Sequence, residues 1–134
     1  MLLTRRACYG LLAVHHLAEH EGSSFSANGL AEFYGLPHEA LAKILQRLAT
    51  AGLLLSHHGM KGGYTLARNP RLISVFDVLS ASEGPRHCGH GETWSHLESG
   101  YHPLCQVSQV VEDMLRDLTI GDIEEEPSRP ADLA

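Results

Sequence analysis

No stretch of the 134 residues is apolar for long enough to cross a bilayer as a helix, which excludes a helical membrane span. Cysteine is scarce, with only three, and the odd count argues against a secreted disulfide framework. Thiols in a reducing compartment serve more often as ligands or redox sensors. The opening MLLTRRACYGLLAVHHLAEH has two arginines ahead of apolar residues, as a secretory leader does. His15, His16, Glu19 and His20 interrupt it, however, and no small-residue cleavage pattern follows. It reads as an amphipathic helix, and the protein is placed in the cytoplasm.

Positive charge is also lacking. The formal net charge is -6, which at first sight argues against a nucleic-acid partner. The deficit is not evenly spread. Residues 1–68 carry six basic and four acidic groups, and residues 69–134 carry four basic and twelve acidic. A first half of slightly positive sign beside an acidic second half is compatible with nucleic-acid binding by the first.

The chain is long enough for one domain with an appended element. Thr4 is placed to cap a helix in which Leu11, Leu12, Val14 and Leu17 recur at helical spacing. Ser26 opens a short second helix, SANGLAEFYG, with Leu30, Ala31 and Phe33 expected to face inward. Gly35 stands where that helix stops and Pro37 where a third begins. The third, PHEALAKILQRLATAG, lines up Leu41, Ile44, Leu45 and Leu48. Two short helices joined by a tight turn suggest a helix-turn-helix, although a plain helical hairpin has the same spacing.

LLLSHHGMKGGYTLAR then reads as strand, glycine-bearing turn and strand, over Leu53–Ser56 and Tyr64–Ala67. A hairpin directly after the third helix is the arrangement of a winged helix. SVFDVLSASEG follows as a short helix with a capping box of Ser74 and Asp77. Beyond it, HCGHGETWSHLESGYHPLC gathers two of the three cysteines and four of the ten histidines in a glycine-rich loop. A longer helix over 104–118 has Val107, Val110, Val111, Met114, Leu115 and Leu118 apolar, too wide a face for a solvated helix. Thr119 and Asp122 offer a second capping box, and the acidic, proline-bearing EEEPSRPADLA is expected to be disordered.

The expected class is therefore mainly α with a small β-hairpin wing: a winged helix-turn-helix over 1–83, a ligand loop over 84–103, a dimerisation helix and final turn over 104–123, and a tail over 124–134.

The opening MLLT, the Leu30-Ala31-Glu32 helix, KILQRLATAGL, the wing GMKGGYTLAR, ASEG and the closing TIGDI fall in one order. In that order they resemble the Rrf-type winged-helix transcription regulators, a bacterial family that includes iron–sulfur, nitric-oxide and redox sensors. The resemblance covers roughly residues 1–123. It implies a homodimer on a palindromic double-stranded operator, with helix 37–51 in the major groove and the wing in the minor groove. The residues it points to for DNA are Thr4, His38, Glu39, Lys43, Gln46, His58 and Lys61. His58 stands where many relatives have arginine.

Many members hold a cluster through three cysteines of the loop. This chain departs from that pattern, with Cys88 and Cys105 in the loop and Ser108 where some relatives have a histidine. Cys8 stands where certain relatives place an acidic ligand that crosses the dimer. The resemblance thus implies Cys88 and Cys105 from one subunit, Cys8 from the other and one histidine, with His90 and His102 as candidates, around a two-iron [2Fe-2S] cluster. Cys88 with His90, and His102 with Cys105, also make a tetrahedral zinc set, so zinc is the alternative cofactor. A thiol-dependent enzyme built on Cys88 or Cys105 is the rival from another class, but no orienting carboxylate or amide can be identified, and the protein is expected not to be an enzyme.

Overall fold

The structure is a computed structural model, and it describes residues 3–60, 62–83 and 102–123. Helix α1 spans Arg5–Glu19, α2 Ala27–Tyr34 and α3 His38–Thr50. Strands β1 (Leu54–His57) and β2 (Gly63–Leu66) form an antiparallel pair. A 3₁₀ turn at Pro70–Leu72 precedes α4 (Val75–Glu83), and α5 (His102–Asp117) is followed by a second such turn at Ile120–Asp122.

The ends of these elements are set locally. Thr4 Oγ1 accepts the Ala7 N–H at 3.1 Å, and Ser26 Oγ accepts that of Gly29 at 3.0 Å, so both helices start on side-chain caps. Gly35, at φ 66°, turns α2 out into the left-handed region, and the Leu36 N–H closes the end on the Ala31 carbonyl at 2.8 Å. Both capping boxes form: Ser74 with Asp77, and Thr119 with Asp122.

Leu41, Ile44, Leu45 and Leu48 of α3 make one buried stripe against Val14 and Leu17 of α1, Leu30 of α2 and Val78 of α4. Helix α1 reaches this core through small residues. Its buried positions are Ala7, Gly10, Ala13, Val14, His16 and Leu17. Leu12, expected on that stripe, is largely exposed, because it lies about 200° around the helix from Gly10. Phe33 is likewise a correction: it is 71% exposed rather than inward. Helix α2 has only eight residues, and Leu30 and Ala31 already fill its contact with the core.

The hairpin runs one residue out of step with the expected strands. Leu53 spends its N–H on the Leu48 carbonyl at the end of α3, at 3.0 Å, so the ladder begins at Leu54 paired with Leu66. The root of the hairpin is pinned from the other side. Phe25 and Tyr64 exchange backbone hydrogen bonds of 3.2 and 2.8 Å. Gly63 permits this approach: at φ 153° it takes a backbone that L residues avoid, and a Cβ there would lie 2.6 Å from the Phe25 carbonyl.

The helix expected from residue 104 begins at His102, which places Pro103 in its first turn, where the missing N–H costs nothing. Leu118 and Ile120 then return to the start of α4. The Val75 N–H donates to the Leu118 carbonyl and the Ile120 N–H to the Ile73 carbonyl, both at 2.8 Å. Ile120 is buried. The loop 84–101 and the tail 124–134 lie outside the described residues.

Candidate nucleic-acid interface

Opposite its buried stripe, α3 exposes His38, Glu39, Lys43, Gln46 and Thr50. From Glu39 onward these recur at 4, 3 and 4 residues, so they share one face. Lys43 and Gln46 have no side-chain partner among the described residues, and their donors and acceptors are available. The helix is tied down on the flank of this face. Arg47, half-buried, donates to the Ser82 carbonyl at 3.3 Å and ties α3 to α4.

In the wing, His58 is exposed and Met60 fully so, while His57 Nε2 bonds Thr65 Oγ1 at 2.8 Å across the hairpin. Lys61 lies outside the described residues. Thr4 is exposed, but its hydroxyl is already engaged: it caps α1 and donates to the Glu83 carboxylate. Arg5 and Arg6 escaped the reading of the sequence. Both are exposed in the first turn of α1, which holds no acidic residue, so they sit at the positive end of the helix dipole at a cost of about 0.3–1 kcal/mol each.

Of the metal candidates, Cys8 is a half-exposed free thiol on α1. The bond from Thr4 to Glu83 sets the first turn of α1 beside the residue after which the described part of α4 ends. Cys88 and His90 lie outside the described residues, and His102 and Cys105 belong to the first turn of α5. Among the described residues, no group of three or more His, Cys, Asp or Glu is arranged to hold a metal.

His16 is buried at 6% exposure, with its Nδ1 2.8 Å from the Tyr34 hydroxyl. The His20 ring stacks on it at 4.3 Å, and Phe25 meets it edge-on at 4.7 Å. Burial, and then the neighbouring His20 and His15, hold its pKa below the ordinary 6.5. The nearby Glu19 carboxylate pairs instead with His15, at 3.4 Å. The unfolded chain therefore binds the proton first. The stabilisation is complete above pH 6.5 and falls away as the pH drops below it. We expect the urea midpoint to fall between pH 7.5 and 5.5, and His16→Phe to flatten that dependence at matched protein concentration. An equal slope in both chains would refute the assignment.

Against known proteins, the profile of the Rrf2 family, described as an iron-dependent transcriptional regulator, matches residues 3–126. The chain belongs to the Rrf2 family. A relative from Rhodopseudomonas palustris, BadM, assigned as an HTH-type transcriptional regulator, is 30% identical over 118 residues, covering 88% of this chain and 70% of its own. The chain spans about half the length of the Mycobacterium tuberculosis relatives it matches at 38% identity. Among solved structures, IscR of T. potens aligns at TM-score 0.68 and 32% identity, covering 91% of this chain and 85% of its own. Staphylococcus aureus CymR in its oxidized form aligns at 0.71 and 28%, covering 94% and 98%.

The winged-helix architecture is that of the Rrf2 neighbours, and DNA-binding regulation is the activity the family carries. Transcriptional regulators are not enzymes, which is consistent with the non-enzymatic expectation. No described helix is long and apolar enough to cross a membrane.

Proposed function

We propose that this Rrf2 protein is a homodimer that binds a palindromic operator with an affinity set by an iron–sulfur centre, a two-iron cluster being favoured. The observation that carries the DNA half is the exposed, unpartnered face of α3 bearing Lys43 and Gln46. Their chemistry suits base edges and phosphates in a major groove, with His38 and Glu39 at the entering end. Arg5 and Arg6 are suited to flanking phosphates, and His58 and Lys61 to the wing contact.

The sensor half rests on donor chemistry. Cys88 and Cys105 are the two thiolate ligands, Cys8 the third, and His90 or His102 the fourth. Thiolates suit iron–sulfur ligation, and an imidazole in the set raises the potential. Bound there, the cluster would supply a centre altered by oxidant, nitric oxide or iron supply. The protein's own residues would carry the change onward. Cys105 belongs to the first turn of α5, and α5 is tied by Leu118 and Ile120 to the start of α4. Helix α4 in turn holds α3 through the Arg47–Ser82 bond. A displacement of the ligand loop would thus tilt α3 and alter the spacing of the two recognition helices, on which half-site binding depends.

Anaerobic purification should yield a brown protein with equal iron and sulfide, bleached by oxidant. Cys88→Ser and Cys105→Ser should each lose most of the iron. Operator affinity unchanged by removing the iron would overturn the sensor half and leave the DNA half standing.

A second reading keeps the fold and replaces iron by zinc, or by thiol oxidation alone. It is favoured by the loop having two cysteines rather than three, and by the similarity to a CymR crystallised in an oxidized form. Stoichiometric zinc, or no metal in a colourless protein, would select it.

A further inference from the structure

An open groove of about 750 Å³ runs between the end of α3 and α4. Gln46, Arg47, Thr50, Leu53, Arg68 and Ser80 line it. The groove lies at the root of the wing. The four-residue strands carry the wing tip roughly 13 Å away from it. A DNA contact of the tip does not reach the groove, and of the exposed face of α3 only Gln46 and Thr50 border it.

Its charge is positive and largely uncompensated. Arg68 is exposed and meets no carboxylate among the described residues. Arg47 gives the Ser82 carbonyl a hydrogen bond of 3.3 Å, and its other N–H donors have no acceptor among the described residues. The one carboxylate in the wall, Asp77, is turned to the Ser74 N–H at 3.4 Å.

The described chain ends at Ile123, in a segment held against the one that leads from Arg68 into α4. Thr119 bridges Ser74, Ile120 donates to Ile73, and Gly121 lies against Arg71 so closely that a Cβ would come within 2.6 Å of the Arg71 side chain. Residues 119–123 therefore run antiparallel to 71–75, and toward Ile123 the chain heads in the direction of Arg68. The next three residues, Glu124, Glu125 and Glu126, are all acidic. Extended, they reach about 10 Å. A segment tethered this close has an effective concentration in the millimolar range, so weak ion pairs suffice to hold it.

We propose that the groove between α3 and α4 is the docking site of the chain's own acidic segment, with Glu124–Glu126 paired to Arg47 and Arg68. The occupant is intramolecular, and it touches α3 on the flank that includes Gln46.

The test uses the full-length protein labelled with nitrogen-15. Amide resonances of Gln46, Thr50 and Ser80 are compared between the natural chain and E124Q/E125Q/E126Q. We expect them to move, and the natural chain to approach the same positions as salt rises to about 0.5 M, where charges are screened within a few ångströms. Arg68→Gln should shift the same resonances and abolish most of the further effect of the triple change. Identical groove resonances in the two chains would overturn the proposal. If inorganic phosphate moved them equally in both chains, the groove would be a site for free anions and not for the tail. Shifts that grew with protein concentration would assign the occupant to a second molecule and would also overturn it.

Discussion

Replacing Val110 and Met114 with glutamate is expected to leave a folded monomer that has lost operator affinity by about 100-fold or more. Val107, Val110 and Met114 are 63, 58 and 67% exposed on α5, and Leu118 continues the row at 41%. Four large apolar side chains at helical spacing are a costly face to leave in water, so burial against a second copy is the arrangement the proposed dimer supplies. Of the α5 side chains, half-buried Leu115 packs against the core, and neither Val110 nor Met114 does. The double substitution therefore spares the intramolecular packing. Two charges at the centre of an apolar interface would be desolvated without partners, and dissociation follows. Affinity falls because a dimer binds its second half-site as an intramolecular event, a gain of roughly 100-fold to 10,000-fold that a monomer lacks. Sedimentation equilibrium and operator titration on the same sample check both halves. A variant that remained dimeric would show that α5 is not the contact.

The second large effect is on stability. A Cβ at Gly10 would stand 1.8 Å from Ser82 Oγ and 3.0 Å from Ser82 Cβ. Both residues are buried, and the Ser82 hydroxyl is committed to the Val78 carbonyl at 2.6 Å. Helices α1 and α4 thus touch almost backbone to side chain, and there is no room to yield. Gly10→Val should cost about 3 kcal/mol, the upper part of the range for overpacking, and lower the melting temperature by roughly 10 °C. Gly10→Ala should cost less, because alanine recovers about 1 kcal/mol of helix propensity. Adding Ser82→Gly to Gly10→Val should restore part of the loss, which a general loss of helix content would not. Melting at matched protein concentration reads the three chains. A Gly10→Val protein as stable as its parent would mean that the helices can move apart freely.

What was legible in advance was local. The caps at Thr4, Ser26 and Ser74, the stop at Gly35 and the stripe Leu41, Ile44, Leu45 and Leu48 each depend on residues within a turn or two of one another. Hydrogen-bond geometry and helical period decide them without reference to the rest of the chain. The exposed face bearing Lys43 and Gln46 follows from the same period, since it is what remains once the stripe is buried. Phe33 and Leu12 show where period alone misleads. Each is apolar, yet the stripe they were assigned to was already satisfied by Leu30 with Ala31, and by Gly10 with Ala13 and Val14.

The order of helices and hairpin, and with it the regulator family, was thus written in residue types at short range, where sterics and capping act. Its approaches are another matter. Gly10 against Ser82, Phe25 against Tyr64, Arg47 on the Ser82 carbonyl and Leu118 with Ile120 on the start of α4 join residues 35 to 72 positions apart, or close helices that have no sequence relation. Such contacts depend on how the packed core sets the distance between backbones, and no local pattern encodes that distance. Arg47 and Arg68 look like ordinary surface charges along the chain. It took the folding of α3, the wing root and α4 onto one core to bring them to one groove.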